Sequence, residues 1–265
     1  MLKKIALASC LFVAAACSTV PITGRRQLSL VSDAEVNTMA AQQYQQVLQQ
    51  SKVVASGPQA AMVRRVGQRV QQAVETYFRQ QNAQNQLEGY QWEFNLLQDD
   101  KQQNAWCMPG GKVAVYTGIL PITQDENGLA VVMGHEIAHA VAKHGNERMS
   151  QGLVQQLGGQ ALGTALSTNS ALTQQVALQA FGVGSQLGLL KYGRNQESEA
   201  DRLGLIFMAM AGYDPKGAVS FWQRMASREN AAAPPEFLSS HPSNETRIAD
   251  IQRLLPEASQ YYKGR

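Results

Sequence analysis

The spacing of apolar and polar residues predicts a mostly helical chain with one short group of strands. Strict alternation over residues 90–96 predicts a strand. Two further strands are predicted over 104–108 and 112–116, joined by a turn at Pro109-Gly110-Gly111. Around them, apolar residues recur at helical spacing, first in a helix that follows Gly57 at Val63, Val66, Val70, Val74 and Phe78. The pattern predicts an α+β fold, mainly α, with a small β-sheet.

The second half of the chain predicts helices throughout. An apolar run over 129–142 predicts a helix that starts near Glu126 and continues to about His144, where Gly145 ends it. The pattern over residues 150–190 predicts two helices, separated by a break around residues 167–170. Other expected features are a helix from Ser32 or Asp33 to Gln50, loops over 18–26 and 230–240, and a last helix capped by Ser243 or Asn244.

The N-terminus predicts a targeting segment. Lys3 and Lys4 precede an apolar run that ends at Cys17 after three alanines, as in a bacterial lipoprotein signal. Processing at Cys10 would leave too short an apolar region, and an ordinary secretory signal without lipid is the other alternative. We expect a signal peptide over 1–16, lipid on Cys17, a tether over 17–32 and one domain over 33–265. The resemblance implies an outer-membrane lipoprotein that faces the periplasm.

Composition excludes several classes of protein. The 265 residues are 44% apolar and 16% charged, which is typical of a globular protein. The net charge is +3 and no stripe of Lys and Arg occurs, so we expect no nucleic-acid partner. After processing at Cys17, Cys107 is the one remaining thiol, so no internal disulfide is expected. We expect Cys107 to be an inert core residue rather than a nucleophile.

The segment His135-Glu136-Ile137-Ala138-His139 carries the clearest chemistry. His135 and His139 are four residues apart and share one helix face, where both can bind one metal ion. Glu136 lies about 100° round the helix, in reach of a water activated by that ion. This H-E-x-x-H arrangement predicts two zinc ligands and a general base. The helix is apolar nearly all round, so three buried polar residues need partners or a metal.

A third ligand is expected from the carboxylates after residue 196. Glu197 and Asp201 share a helix face, so Glu197 can bind the metal while Asp201 fixes the tautomer of a ligand imidazole. Glu199 points about 200° away and is the competing ligand, because both cannot bind the same ion. His144 lies five residues after His139, and we expect it to act as a cation at the helix C-terminus.

Two further positions are candidates for the site. His241 stands at a loop–helix junction, where it is either structural or faces the metal as an oxyanion donor or a reversible fourth ligand. Asn104 and Ala105 lie at the predicted edge strand, which in zinc peptidases pairs with the extended substrate backbone. A purely structural hairpin is the alternative there.

The motifs together resemble one family, the HtpX-like and CAAX-prenyl-protease-type zinc metallopeptidases, and in particular their LoiP-like periplasmic lipoprotein branch. The residues that carry the resemblance are Cys17-Ser18-Thr19, the segment 21–25, Asn104-Ala105, Pro109-Gly110-Gly111, His135 to His139, Glu197 to Asp201 and His241-Pro242. The resemblance implies a zincin-like fold, one Zn²⁺ per chain, Glu197 as third ligand, Asp201 in support and His241 near the metal.

The resemblance also implies a function. We expect a zinc-dependent endopeptidase of the periplasm that cleaves misfolded or membrane-associated proteins, with unfolded outer-membrane proteins as substrates. Glu136, His241 and Asp201 are the expected catalytic group. Membrane attachment is expected through the lipid, and outer-membrane assembly machinery is an expected partner. The alternative is a proteolytically latent chaperone or scaffold. Because the chain stops soon after the last predicted helix, we expect a single domain without tetratricopeptide repeats.

Overall fold

The computed structural model describes residues 17–20, 23–228, 235–242 and 245–264. The strands are β1 (Cys17–Thr19), β2 (Arg26–Leu28), β3 (Glu93–Leu97), β4 (Ala105–Met108) and β5 (Lys112–Tyr116). The helices are α1 (Asp33–Gln50), α2 (Pro58–Gln80), α3 (Leu120–Thr123), α4 (Glu126–Val141), α5 (His144–Ala165), α6 (Ala171–Met210), α7 (Gly217–Ala226), α8 (Phe237–Ser240) and α9 (Glu245–Ser259). The α+β, mainly α class is confirmed.

Local sequence explains where the main helices begin. Ser32 caps α1 and forms a capping box with Glu35. Pro58 occupies the first turn of α2, where its missing N–H costs no hydrogen bond. The Asp125 side chain accepts a hydrogen bond from the backbone of Gly128 at the start of α4. These helix starts agree with the predictions from sequence.

The sheet beside the site is small and mixed. Its strand order is β3-β5-β4, with β3 parallel and β4 antiparallel to β5. Ala105 pairs with Val115 at the start of β4. β4 packs against α4, so one edge strand of this described sheet lies beside the H-E-x-x-H helix.

The close contact between α4 and α6 sets the geometry of the site. A Cβ atom on Gly204 would lie 2.8 Å from the backbone nitrogen of His135, and one on Gly134 would lie 2.9 Å from the Gly204 carbonyl oxygen. Glycine at both positions therefore lets the two backbones meet. The buried residues of both helices belong to one apolar core, which also includes α2 and α7.

A long helical hairpin extends from this core. It consists of α5 and the first half of α6, and none of its side chains from 151 to 195 is buried among those whose burial is described. No Asp, Glu, Lys or Arg occurs between Arg148 and Lys191. Its exposed large apolar residues are Met149, Leu153, Val154, Leu157, Leu172, Val176, Leu178, Val183 and Leu190. Among the helices that the structure describes, none is both long enough and apolar enough to cross a membrane.

Three predictions of local structure are wrong. The loop expected over 18–26 contains strand residues, because β1 pairs with β2 as an antiparallel hairpin. α4 ends at Val141 and Lys143 adopts the left-handed conformation with φ of 60°, so Gly145 lies inside α5. α8 lies where a loop was expected. The predicted signal peptide, the predicted caps at Ser243 and Asn244, and residues 230–234 of that loop lie outside the described residues.

Candidate metal centre

Three side chains from two helices converge at the centre of the molecule. The Nε2 atoms of His135 and His139 on α4 lie 3.1 Å apart. From α6, Glu197 places Oε1 3.2 Å from His139 Nε2 and Oε2 3.4 Å from His135 Nε2. Nitrogen and oxygen ligands of a tetrahedral zinc ion lie about 3.3 Å from one another, since each bond is about 2.0–2.1 Å long. The spacing of these atoms fits a divalent zinc ion.

His241 supplies a fourth nitrogen to the same cluster. Its Nδ1 atom lies 3.1 Å from His135 Nε2 and 2.9 Å from Glu197 Oε2. The candidate ligand atoms of His135, His139, Glu197 and His241 all lie within 4.8 Å of one another. Of the two metal-facing roles that the sequence left open for His241, this position is the one expected of a fourth ligand.

Glu136 lies next to these atoms without joining them. Its Oε1 atom is buried, lacks a hydrogen-bond partner within the described residues, and lies 3.3 Å from His241 Nε2. A buried carboxylate oxygen is unstable unless water, a donor or a cation satisfies it. Burial raises the pKa of Glu136, which brings this carboxylate closer to the range of a general base. The position and the environment both fit a group that accepts a proton from water.

Asp201 contacts the Nδ1 side of His135, and Arg247 holds Asp201 in place. Asp201 Oδ1 lies 3.0 Å from His135 Nδ1, so a neutral His135 donates from Nδ1 and leaves the Nε2 lone pair for a metal. Arg247 donates to both carboxylate oxygens of Asp201, at 2.8 and 2.9 Å, and its guanidinium lies 3.6 Å from the centre of the Trp222 ring. Arg247 Nη1 also lies 3.3 Å from Glu197 Oε2. Sequence reasoning missed Arg247, since only its place after His241-Pro242 hinted at the site.

His144 supports the second imidazole and is not the predicted cation. Its Nδ1 atom lies 2.8 Å from His139 Nδ1, and its Nε2 atom lies 2.9 Å from Glu199 Oε2. His144 is fully buried, and burial lowers its pKa. The expectation of a cation at the helix C-terminus is wrong, because the left-handed residue Lys143, which follows the end of α4, turns His144 into the interior. Glu199, the competing ligand, faces His144 instead of the metal site.

The carboxylates give the pocket a strong preference for a cation. Burial acts to lower the pKa of His135, but hydrogen bonds to Asp201 and Glu197 outweigh it and raise that pKa to about 9. Burial opposes ionisation of Glu197, yet hydrogen bonds with His135, His139 and His241 hold the pKa of Glu197 well below its usual range. A divalent cation in this pocket would compete with protons for the same nitrogen atoms.

The predicted substrate contacts lie on the strand beside the site. Ala105 begins β4, and its backbone N–H donates to the Asn104 side-chain oxygen at 2.8 Å. The Asn104 carbonyl accepts a hydrogen bond from the Tyr116 backbone. Asn104 and Ala105 remain predicted substrate contacts. Burial raises the pKa of the Cys107 thiol, in keeping with an inert core residue.

Several known proteins are similar to this chain in sequence. Residues 64–255, well over half of the chain, match Peptidase family M48. The chain is 29% identical over 250 residues to mitochondrial metalloendopeptidase OMA1 of Saccharomyces cerevisiae, across 92% of this chain and 70% of that protein. It is 33% identical over 243 residues to OMA1 of Schizosaccharomyces pombe, across 90% and 66%. It is 35% identical over 158 residues to a putative beta-barrel assembly-enhancing protease of Vibrio cholerae, across 57% and 32%.

The extent of these matches decides the family. The matched range includes Glu136 and all four candidate ligands. The chain spans between about a third and 70% of the lengths of these relatives. The predicted zinc-metallopeptidase family is confirmed, and the chain belongs to peptidase family M48.

Proposed function

We propose that this protein is a zinc-dependent endopeptidase that acts in the periplasm on misfolded or membrane-associated proteins. The observation that carries the proposal is the convergence of His135, His139 and Glu197 beside the unpartnered carboxylate oxygen of Glu136. The relatives named as metalloendopeptidases support a proteolytic role. The lipoprotein-like residues ending at Cys17 support an outer-membrane anchor that faces the periplasm.

The residues around the metal position fit peptide hydrolysis. Zinc, when bound, would supply a Lewis acid. It would lower the pKa of water, so that the water loses a proton and can attack a carbonyl at neutral pH. Glu136 accepts the proton of the attacking water and delivers it to the leaving amine. Asp201, held by Arg247, keeps His135 in the tautomer that binds through Nε2. His241 Nε2, 3.3 Å from Glu136 Oε1, can donate to the developing oxyanion once Nδ1 has left the ligand cluster.

An extended polypeptide fits the strand beside the site. β4 is an edge of the described three-stranded sheet and packs against the metal helix. A substrate that adds a strand next to Asn104 and Ala105 would gain backbone hydrogen bonds that do not depend on its side chains. Unfolded outer-membrane proteins have exposed strand-forming segments of this kind. The name of the Vibrio cholerae relative supports contact with β-barrel assembly, which we extend to this protein as part of the proposal.

The position of His241 favours a second candidate function. Because His241 Nδ1 lies 3.1 Å from His135 Nε2, it stands where the substrate carbonyl or water would need to enter. A protein fixed in this arrangement would bind zinc yet cleave little. It would then act as a latent chaperone or scaffold lipoprotein.

The replacement Glu136→Gln tests the enzyme. The full-length protein is incubated with an unfolded outer-membrane protein, and fragments are identified by mass spectrometry. We expect the wild type to produce fragments and Glu136→Gln to lose at least about 10²-fold in rate with its zinc unchanged, because the base alone is removed. Glu257→Gln, which changes a partly exposed carboxylate, is the control and should cleave normally. Equal cleavage by Glu136→Gln would reject the mechanism.

The replacement His241→Ala separates the two candidate functions. If His241 blocks the site, its removal increases cleavage by the purified protein. If it acts as an oxyanion donor in an open site, its removal lowers kcat by roughly 10²–10³. Suppressed aggregation without fragments in the wild type, together with fragments from His241→Ala, would favour the latent chaperone.

A further inference from the structure

The N-terminal β1–β2 hairpin places two side chains against carboxylates of α5 and α6. Arg25 donates to both carboxylate oxygens of Glu147, each at 2.8 Å, and to Glu199 Oε2 at 2.8 Å. The Thr23 hydroxyl donates to the other oxygen of Glu199. Glu147 and Glu199 are buried, so one guanidinium pairs with two buried carboxylates. The hairpin is therefore joined to the interior by charge-assisted hydrogen bonds.

The contacts of Glu199 continue to a candidate metal ligand. Glu199 Oε2 lies 2.9 Å from His144 Nε2, and His144 Nδ1 lies 2.8 Å from His139 Nδ1. His139 Nε2 faces Glu197 at 3.2 Å. An unbroken series of contacts thus joins Arg25 to the metal position.

For neutral imidazoles, the chemistry of these groups allows one arrangement of protons. An ionised carboxylate only accepts hydrogen bonds, so Glu199 requires His144 to carry its proton on Nε2. His144 Nδ1 is then an acceptor, and His139 must donate to it from Nδ1. This leaves the lone pair of His139 on Nε2, the atom that faces the other ligands.

The two ligand imidazoles are supported in parallel ways. His135 is oriented directly by Asp201, whose carboxylate is held by Arg247. His139 is oriented through His144 by Glu199, whose carboxylate is held by Arg25. The contacts of each imidazole therefore lead to a carboxylate that is paired with an arginine. For His135 this arginine is Arg247 of the last helix, and for His139 it is Arg25 of the N-terminal hairpin.

We propose that Arg25, Glu199 and His144 are positioning residues that fix the tautomer of His139, so that the N-terminal hairpin is a working part of the metal centre. The inference rests on the proposed metal site. It extends the set of residues that support this site to residues 23–25 of the hairpin. A hairpin that only braces the fold would contribute stability without affecting the metal ligands.

The test measures zinc affinity and the visible spectrum of the cobalt-substituted protein, using the full chain. Glu199→Gln keeps the size of the side chain but can donate to His144, which allows the wrong tautomer of His139. We expect Glu199→Gln and Arg25→Gln to bind zinc about 10–100-fold more weakly and to show altered cobalt spectra. Arg25→Lys keeps the charge and should bind zinc more tightly than Arg25→Gln.

The matched control is Arg202→Gln. Arg202 lies on the same helix as Glu199 and forms a bidentate ion pair with Glu257, at 2.7 and 2.9 Å, apart from the metal centre. The Arg202→Gln variant should keep the zinc affinity and the cobalt spectrum of the wild type, even if its melting temperature changes. Wild-type affinity and spectrum in Glu199→Gln, with or without a lower melting temperature, would overturn the positioning role. A wild-type protein that binds no zinc would overturn the proposed function as well.

Discussion

The two halves of α6 face opposite environments. In its second half, Leu203 and Phe207 are completely buried and Glu197 reaches the metal position. In its first half, Leu172 and Val176 are 70% and 58% exposed. One continuous helix therefore carries both a part of the metal centre and an arm of the projecting hairpin.

The difference shows which surroundings the chemistry needs. Around Glu197 the apolar core limits contact with water, which strengthens the contacts between carboxylates and imidazoles and raises the cost of leaving any of them unpaired. Over residues 151–190 of the hairpin, no side chain whose burial is described is buried, and no charged residue occurs. Truncations of side chains in the buried half should therefore change stability and the metal site, whereas truncations of side chains in the exposed half should change neither.

The largest expected contrast is between two truncations on α6. Phe207→Ala removes a fully buried ring and should lower the free energy of unfolding by about 3–5 kcal/mol. Val183→Ala, at a side chain that is 55% exposed, should stay within about 0.5 kcal/mol of the wild type. Urea denaturation followed by circular dichroism measures both. Similar losses at the two positions would mean that the hairpin packs against something in solution.

Two glycines sharpen the contrast because their replacement should have opposite signs. Gly204→Ala places a methyl group 2.8 Å from the His135 backbone and should destabilise by about 1–3 kcal/mol. Gly184→Ala meets nothing within 4 Å and should stabilise the helix by about 0.5–1 kcal/mol. Thermal melting of both variants provides the measurement, and a stabilising Gly204→Ala would contradict the close contact between α4 and α6.

The smallest effect concerns the ion pair between Arg202 and Glu257. A hydrogen bond from Arg202 lowers the pKa of Glu257 below its ordinary value of 4.5. The pair therefore adds stability above pH 4.5, and this contribution disappears as the pH falls through the lowered pKa. Solvent screens the partly exposed pair, so the contribution should be at most about 1 kcal/mol. Denaturation of the wild type and Arg202→Gln between pH 3 and 7 should show that the difference between their free energies of unfolding shrinks as the pH falls.

The sequence predicted the parts of the fold that depend on local signals. The helix start predicted at Ser32 or Asp33 and the strand over 112–116 required only neighbouring residues. The end of α4 was predicted too late, because a left-handed Lys143 has no local signal of the kind that glycine provides. The β1–β2 hairpin was missed because Arg25 is held by carboxylates that lie more than a hundred residues away.

The site divides in the same way. The H-E-x-x-H spacing on one helix indicated His135 and His139, whereas Glu197 and Glu199 could be told apart only through the family resemblance. The structure gives the physical reason, since Glu199 is held by His144 and Arg25. Arg247 was not predicted because its contacts with Asp201 depend on packing between α6 and the last helix.

The central claim is that side chains from α4 and α6 bind one divalent cation. Elemental analysis of the purified full-length protein after dialysis tests it most directly, with the wild type, Glu136→Gln and Glu197→Ala compared side by side. We expect one zinc ion per chain in the wild type and in Glu136→Gln, and its loss from a folded Glu197→Ala. Zinc retained by Glu197→Ala as firmly as by the wild type would contradict the account.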